Sequence, residues 1–202
     1  TNELSYMVGK FARVALKTAN IDYNGRLCMV SAGAGNKKAF GRDRTSNSWA
    51  DLKHAEVIMI CGSNVSETFP TLIHYIWEAR DNGAKLIVVD PRVTPVARTA
   101  DLHLPVRPGT DSALYGAMLQ QLVENDWLDH DFIDNYTSGF EETIAAVKDY
   151  SLEWAEEVTG IPAESIKQAA EMWGKASTSF LMHARGIEHH SKGVDNVLGC
   201  IN

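Results

Sequence analysis

Three short polar motifs between residues 55 and 111 contain residue types that are suited to binding a nucleotide. They are Gly62-Ser63-Asn64, Asp90-Pro91-Arg92 and Arg107-Pro108-Gly109-Thr110-Asp111. A glycine at a strand end lets a ligand approach the backbone, and the start of a following helix offers N–H groups to a phosphate. Asp90 is suited to a ribose diol and Arg92 to a phosphate. The Asp111 carboxylate can accept from the two adjacent donors on the edge of guanine.

The segments before the first two motifs predict a strand–helix–strand unit. Residues 57–61 are apolar, rich in β-branched side chains and followed by a glycine, which is typical of a strand buried on both faces. An apolar stripe with helical spacing runs over 70–82, and residues 86–89 form a second buried strand. In such sheets ligands bind beyond the carboxyl ends of the strands. Gly62 and Asp90 are therefore expected at a ligand site.

The rest of the pattern predicts a larger α/β sheet. Residues 101–106 indicate a third strand, which Pro105 places near a sheet edge. Thr110 or Asp111 is expected to cap the long helix that follows. Further helices and one last strand are predicted over 129–136, 140–150, 152–159, 161–175 and 179–183. The fold class is therefore α/β, with a doubly wound, mainly parallel, Rossmann-like sheet.

Domain organisation follows from the same pattern. Residues 51–202 are predicted to form the Rossmann-like domain, with its helical insertion over 111–176, and residues 1–50 to belong to a neighbouring domain. Helical patterns are interrupted at both ends of the chain, at Thr1 and at Asn202. We therefore expect a fragment of a larger multidomain protein.

Composition excludes several classes of protein. With 202 residues, 45% of them hydrophobic, the chain can bury a core. Its net charge of −7, without a compensating basic cluster, argues against nucleic acid as the main partner. No apolar run approaches the ~20 residues that span a bilayer. The cysteines at positions 28, 61 and 200 lack the pattern of a disulfide framework or a CxxC site, which favours a reducing, cytoplasmic environment.

Each polar motif taken alone is more often structural, because strand-terminal glycines and helix-capping aspartates are common. The G-x-G-x-x-G turn of nicotinamide-binding domains is missing at Gly62, which argues against an ordinary NAD domain. Taken in series, however, the motifs resemble the catalytic subunits of molybdenum or tungsten oxidoreductases with two molybdopterin guanine dinucleotides, the dimethyl sulfoxide reductase family. The segments that carry the resemblance are RLCM (26–29), ADLKHAEVIMICGSN (50–64), NGAKLIVVDPR (82–92), ARTADLHLPVRPGTDSAL (97–114) and ARGIEHHSKGVDNVL (184–198).

The resemblance implies roles for individual residues. Cys28 falls where the family has the thiolate that binds the metal, and a soft thiolate suits such a centre. His189 and Gly186 fall near where the family brings a loop to the metal and pterin. The positions implied to hold the dinucleotide are Gly62, Asn64, Glu67 and Thr68 at a diphosphate, Asp90 and Arg92 at the next strand end, and Pro108, Gly109 and Asp111 at the guanosine.

The resemblance also implies a reaction. Met29 follows the cysteine as in nitrate reductases of this family, whereas similar formate dehydrogenases have histidine there. The arginine that faces formate in those enzymes would fall at Leu198. We therefore predict reduction of nitrate to nitrite by oxygen-atom transfer. Positive charge for the oxyanion would come from four residues: Arg185, His189, His190 and Lys192.

Two alternatives stay open on the sequence alone: formate oxidation on the same scaffold, and a scaffold domain without chemistry of its own. Family members of this type carry a four-cysteine [4Fe–4S] domain, and no such spacing occurs in this chain. The implied partners are a small oxyanion substrate and an electron-donor protein or subunit. No nucleic acid and no membrane insertion are expected in this region.

Overall fold

The computed structural model describes residues 2–202, which form two compact units. One unit ends at Val30, and the other covers Ser31–Asn202. The first contains the helices α1 (Asn2–Val14) and α2 (Gly25–Cys28). Helix α1 occurs where the apolar spacing of the amino-terminal residues predicted one. The predicted assignment of residues 1–50 to a neighbouring domain stays a prediction.

A four-stranded parallel sheet organises the second unit. Its strands are β1 (Val57–Cys61), β2 (Lys85–Val89), β3 (Leu102–Leu104) and β4 (Ser179–His183). They lie in the order β3-β2-β1-β4, and in the register of the sheet Ile60 is paired with Val88 on one side and Met182 on the other. The predicted parallel α/β class is confirmed, and β3 is the edge strand that Pro105 predicted.

Alternating side chains of the central strands pack on opposite faces of this sheet. Met59 and Val89 point into a core that is completed by residues of the carboxyl-terminal helices, among them Leu114 and Val197. Ile60 and its neighbours on the other face pack against the helix before β2. Because every residue of β1, and every residue of β2 except Lys85, is buried whichever face it occupies, an uninterrupted apolar run is what such a strand requires. The sheet is therefore covered by helices on both faces, as in a doubly wound fold.

The helices that surround the sheet complete the unit. Those before β4 are α3 (Val30–Phe40), α4 (Val65–Thr68), α5 (Ile73–Asp81), α6 (Asp111–Glu124), α7 (His130–Tyr136), α8 (Phe140–Val147), α9 (Leu152–Thr159) and α10 (Ala163–Gly174). After β4 come α11 (Arg185–Glu188) and α12 (Gly193–Ile201), and short 3₁₀ helices cover Trp49–His54 and Ala97–Thr99. Along the described chain, no helix is both long and apolar enough to cross a bilayer.

Most predicted elements occur, and two of the differences are informative. The helix expected over 70–82 begins only at Ile73, and Leu72 occupies its N-cap position. Helix α3 was not predicted, because its glycine-rich sequence disfavours a helix in isolation. Its buried residues Ala32, Gly33 and Gly35 indicate that close packing stabilises it instead. The Cβ of an alanine at position 35 would lie 2.6 Å from Val197 Cγ1, so this helix needs a glycine where it meets α12.

Candidate functional site

A cavity of about 250 Å³ lies beyond the carboxyl ends of the strands. The strand order places neighbours of β1 on both its sides, and ligands bind at such a switch point in doubly wound sheets. The pocket is bordered by residues that follow all four strands and by the first residue of α6. They are Gly62, Val89, Asp90, Pro91, Arg92, Val106, Pro108, Asp111, Gly186 and His190.

One side of the pocket is formed by two glycines in backbone contact. Gly62 has a φ of +57°, and a Cβ at this position would lie 2.7 Å from Gly186 Cα. In return, the Gly186 N–H donates to Gly62 O at 2.9 Å, and the Gly62 N–H donates to Val89 O at 2.8 Å. Neither Gly62 nor Gly186 has room for a side chain where the two backbone segments meet. The close approach that requires glycine at position 62 is therefore to another backbone segment, a reason that the sequence did not reveal.

Asp90 borders the pocket at the end of β2. The residue is 9% exposed, and its Oδ1 accepts a hydrogen bond from the Arg92 N–H at 2.8 Å. Its backbone is tied to the edge strand, because the Asp90 N–H donates to Leu104 O and His103 Nε2 lies 2.8 Å from Asp90 O. The Arg92 side chain is exposed at the pocket's border. The turn thus presents a fixed carboxylate beside a guanidinium.

Asp111 is the most unusual polar group of the pocket. The residue is 4% exposed, and its Oδ2 has no hydrogen-bond partner among the described residues. His190 Nε2 lies 3.9 Å from this oxygen, which is too far for a hydrogen bond. Burial raises the pKa of the Asp111 carboxyl, against the opposing effects of its own backbone N–H and of His190. A buried acceptor without a donor costs folding free energy, so this atom marks a place where a ligand's donors would be stabilising.

The sequence predicts that Thr110 or Asp111 caps α6, and the structure shows which residue occupies the N-cap position and where its hydroxyl binds. Thr110 occupies the N-cap position, but its hydroxyl donates to Arg107 O at 2.7 Å and makes no cap hydrogen bond. Asp111 is the first helical residue. Thr110 is therefore the N-cap residue, one of the two predicted, but its side chain does not supply the cap hydrogen bond because the hydroxyl is used in the turn at 107–110.

The structure brings together six of the predicted dinucleotide-binding residues and leaves four outside the pocket. Those that border it are Gly62, Asp90, Arg92, Pro108, Asp111 and Gly186. Gly109 is exposed in the turn before α6, and Asn64, Glu67 and Thr68 lie on or beside the short helix α4. Asn64 Oδ1 accepts from the Ser66 hydroxyl at 3.3 Å. Their roles stay predictions.

The predicted metal ligand belongs to the other compact unit. Cys28 is the last residue of α2 and is exposed, and its N–H donates to Asn24 O at 3.0 Å. Met29 follows as a half-buried residue whose N–H donates to Gly25 O. Within residues 2–202, no group of three or more His, Cys, Asp or Glu side chains is arranged around a common metal position. A single protein ligand, as predicted for Cys28, does not require such a group.

The loop after β4 contains His189 and His190, and the predicted catalytic role of His189 stays a prediction. His189, the predicted catalytic histidine, is exposed at the end of α11, whereas His190 borders the pocket. Glu188 was not considered at all, yet it is 2% exposed and pairs with Arg185. Consecutive histidines in a loop carry no periodicity that tells which one faces inward. The sequence did contain a signal for the buried ion pair, because Glu188 lies between Arg185 and two histidines.

This fold and pocket define a class: a doubly wound α/β domain with a polar site beyond its strand ends. Within that class, the chain belongs to the molybdopterin oxidoreductase family, whose model matches residues 1–202. Family membership implies a molybdopterin cofactor with molybdenum or tungsten.

Relatives with different activities are about equally similar to the chain. It is 40% identical over 203 residues to the assimilatory nitrate reductase catalytic subunit of Bacillus subtilis (strain 168), an alignment that covers 100% of this chain and 29% of that protein. It is also 40% identical to the F420-dependent formate dehydrogenase 2 subunit alpha of Methanococcus maripaludis, with 100% and 30% covered. Thus the chain spans less than a third of the length of these relatives.

A solved structure agrees with the fold. Acetylene hydratase from Pelobacter acetylenicus matches with a TM-score of 0.76 and 29% sequence identity, over 85% of this chain and 23% of that one.

Proposed function

We propose that this chain is the central α/β region of the catalytic subunit of a nitrate reductase with a molybdenum or tungsten bis(molybdopterin guanine dinucleotide) cofactor. The pocket at the strand ends would take the guanosine diphosphate end of one dinucleotide. The observation that carries this proposal is the buried Asp111 Oδ2, which has no donor among the described residues and borders that pocket. Guanine is the base that presents two adjacent N–H donors to one carboxylate.

Each pocket residue has a physical part in this binding. Asp111 would accept from the base, the Asp90 carboxylate is fixed by Arg92 N–H for a ribose hydroxyl, and the exposed Arg92 guanidinium would pair with a phosphate. Pro108 and Val106 supply apolar surface for the flat face of the base. The cavity of about 250 Å³ is small for a whole dinucleotide and suits one end of it.

The cofactor supplies the two-electron chemistry when it is bound, and the protein supplies orientation and charge. Cys28 would hold the metal as a thiolate, which its exposed position allows. His190, at the pocket border, and the exposed Lys192 would contribute positive charge toward an oxyanion. We also propose that electrons come from an electron-donor protein through a [4Fe–4S] cluster outside this region. The proposed location is the cytoplasm.

Nucleotide binding is tested on the full-length protein, made without cofactor in a host that cannot synthesise molybdopterin. Guanosine diphosphate should bind to the wild type more tightly than adenosine diphosphate, and Asp111→Asn should lose about tenfold in affinity for the guanine nucleotide. Asp101→Asn, at the opposite end of the sheet, is the matched control and should bind as the wild type does. Equal affinity of wild type and Asp111→Asn for both nucleotides would reject the proposed site.

The reaction is tested on the cofactor-loaded full-length enzyme. Metal analysis should find molybdenum or tungsten together with iron, and nitrate with reduced viologen should turn over. Formate oxidation is the second candidate, because a formate dehydrogenase subunit is as similar to this chain as a nitrate reductase is. Turnover of formate alone would overturn the interpretation of Met29 and Leu198. Full activity of a Cys28→Ala variant would favour a scaffold role instead.

A further inference from the structure

The loop that carries Gly186 and His190 to the pocket contains a buried carboxylate, that of Glu188. The Glu188 side chain is 0% exposed, whereas that of its partner Arg185 is 43% exposed. Glu188 Oε1 lies 2.7 Å from Arg185 Nη1, and Oε2 accepts from the same nitrogen at 2.8 Å. A buried charge needs such a partner, and charge-assisted hydrogen bonds are among the stronger ones.

The same carboxylate also reaches a distant helix. Glu188 Oε2 accepts a hydrogen bond from the Ala32 N–H at 3.1 Å, across 156 residues of sequence. Ala32 lies in the first turn of α3, where backbone N–H groups have no partner within their own helix. An anionic side chain at this end of a helix is also favoured by the helix dipole. Glu188 therefore caps α3 from the pocket loop.

Close packing around Glu188 leaves the loop little freedom at this junction. A Cβ on Gly193 would lie 2.0 Å from Glu188 O and 2.9 Å from Ser31 Oγ, so the start of α12 packs against the loop backbone and against a side chain in the first turn of α3. Further along, Asn196 Nδ2 donates to Ile187 O at 3.4 Å, and the Ser112 hydroxyl donates to Asn196 Oδ1 at 2.7 Å. Ser112 is the neighbour of Asp111, so this network ends at the pocket.

We propose that Glu188 is a positioning residue, which clamps the pocket loop to the first turn of α3 and so fixes Gly186 and His190 at the pocket. The helix that it caps begins two residues after Cys28 in the chain. The N–H that Glu188 accepts from, that of Ala32, is four residues after the predicted metal ligand in the sequence. The importance of the clamp for binding rests on the proposed function, but the clamp itself is a property of the fold.

The charged groups around Glu188 come from its own short helix and from the segment after α3. Arg185 and His189 lie on or beside its own short helix, and both favour the ionised carboxylate, while Asp43, from the segment after α3, opposes it. Burial has the largest effect and raises the pKa of Glu188. The Ala32 N–H acts in the opposite direction. Burial therefore disfavours the charged form of Glu188, and the amino terminus of α3 and Arg185 both stabilise that form.

Hydrogen exchange on the cofactor-free full-length protein tests the clamp directly. In Glu188→Ala, amides in the first turn of α3 and in residues 185–190 should both exchange about tenfold faster than in the wild type, while amides of β1 stay protected. Glu188→Gln keeps an acceptor for Ala32 N–H, so protection of α3 should return in that variant. Glu171→Ala, which breaks an exposed pair with Lys175, is the control and should leave both segments unchanged.

The functional readout is the affinity for guanosine diphosphate. Glu188→Ala should bind about tenfold more weakly than the wild type, and Glu188→Gln should recover most of that loss. Wild-type exchange in both segments of Glu188→Ala would overturn the clamp. If the wild type itself fails to bind the nucleotide, the proposed pocket is wrong, and the exchange experiment still decides the clamp. Should Glu188→Ala not fold, Glu188→Gln and Arg185→Ala carry the same comparison.

Discussion

Two aspartates at opposite ends of the sheet have contrasting environments. At the amino end, Asp101 accepts from Leu86 N–H at 2.9 Å and from Lys85 Nζ at 3.0 Å, with Arg80 Nη2 at 3.7 Å. Burial acts to raise the pKa of Asp101, but these hydrogen bonds and charges outweigh it, and the pKa is lowered. At the carboxyl end, Asp111 is buried with one oxygen unpartnered, and its pKa is raised.

The difference separates a structural carboxylate from one that is kept for a ligand. A carboxylate with donors stabilises the folded state, whereas one that is buried without them destabilises it until something binds. The same sheet therefore has the satisfied carboxylate of Asp101 at one end and, at the other, a carboxylate of which one oxygen is left without a donor. Comparing variants at the two ends is the most direct way to test this interpretation.

The largest expected effect contrasts a glycine at each end. Gly62→Ala should lower the free energy of unfolding by about 3 kcal/mol, because a positive φ and overlap with the Gly186 backbone both oppose a side chain. Gly83→Ala also has a positive φ, +100°, but nothing lies within 4 Å of its Cβ, so the loss should be about 1 kcal/mol. Urea unfolding of the full-length protein measures both. Equal losses would show that the Gly62–Gly186 contact is unimportant.

The next effect concerns the satisfied carboxylate. Asp101→Ala should cost about 1–3 kcal/mol, since it leaves the Leu86 N–H without its acceptor and removes the carboxylate that pairs with Lys85 and faces Arg80. Because the pKa of Asp101 is lowered in the folded state, its contribution is present above the ordinary value near 3.8 and is lost as the pH falls through the lowered value. Unfolding measured at neutral and acidic pH checks this, and a difference from wild type that persists at low pH would contradict it.

A smaller effect of opposite sign is expected at the other end. In the ligand-free protein, Asp111→Asn should leave stability unchanged or raise it by up to about 1 kcal/mol, because it removes a buried charge. The raised pKa means that this group favours folding below its ordinary value near 3.8 and loses that contribution as the pH rises through the raised value. The advantage of the variant should therefore grow from acidic to neutral pH. A loss as large as that of Asp101→Ala would refute the contrast.

The smallest effect is on binding. A bound guanine would give Asp111 Oδ2 its donors and favour the carboxylate, so nucleotide affinity should fall as the pH drops through the raised pKa of that group. We expect a loss of about threefold across the titration for the wild type and none for Asp111→Asn. Calorimetric titration with guanosine diphosphate at several pH values measures it. A pH profile shared by both proteins would assign the dependence to another group.

The elements of the sheet were predictable because each has a local cause. Residues 57–61 and 86–89 are apolar without interruption, and they form strands buried on both faces. The carboxyl-terminal helices follow from their apolar spacing and caps, such as Ser151, whose Oγ accepts from Trp154 N–H. Helix α3 escaped prediction because glycines and alanines carry little local signal and its stability comes from packing against distant residues.

The candidate site was predictable in outline and not in detail. Parallel strands bring their carboxyl ends to one edge, so Gly62 and Asp90 were expected to meet there, and the family resemblance added Asp111; all three border one pocket. Choosing between His189 and His190 needed the path of the loop after β4, which depends on contacts with Gly62 and Ala32. The roles of Cys28 and Met29 stay predictions from the family resemblance.

By itself, the sequence determined the strands, their parallel arrangement and the family, because apolar runs, turn residues and motif order are properties of neighbouring positions. Only the tertiary structure decided which polar groups have partners. Asp101, just before β3, is satisfied, and Asp111, at the start of α6, is not, while Glu188 accepts from a group 156 residues away. Whether a buried polar group has a hydrogen-bond partner depends on residues that are distant in the sequence, and only folding brings such residues together.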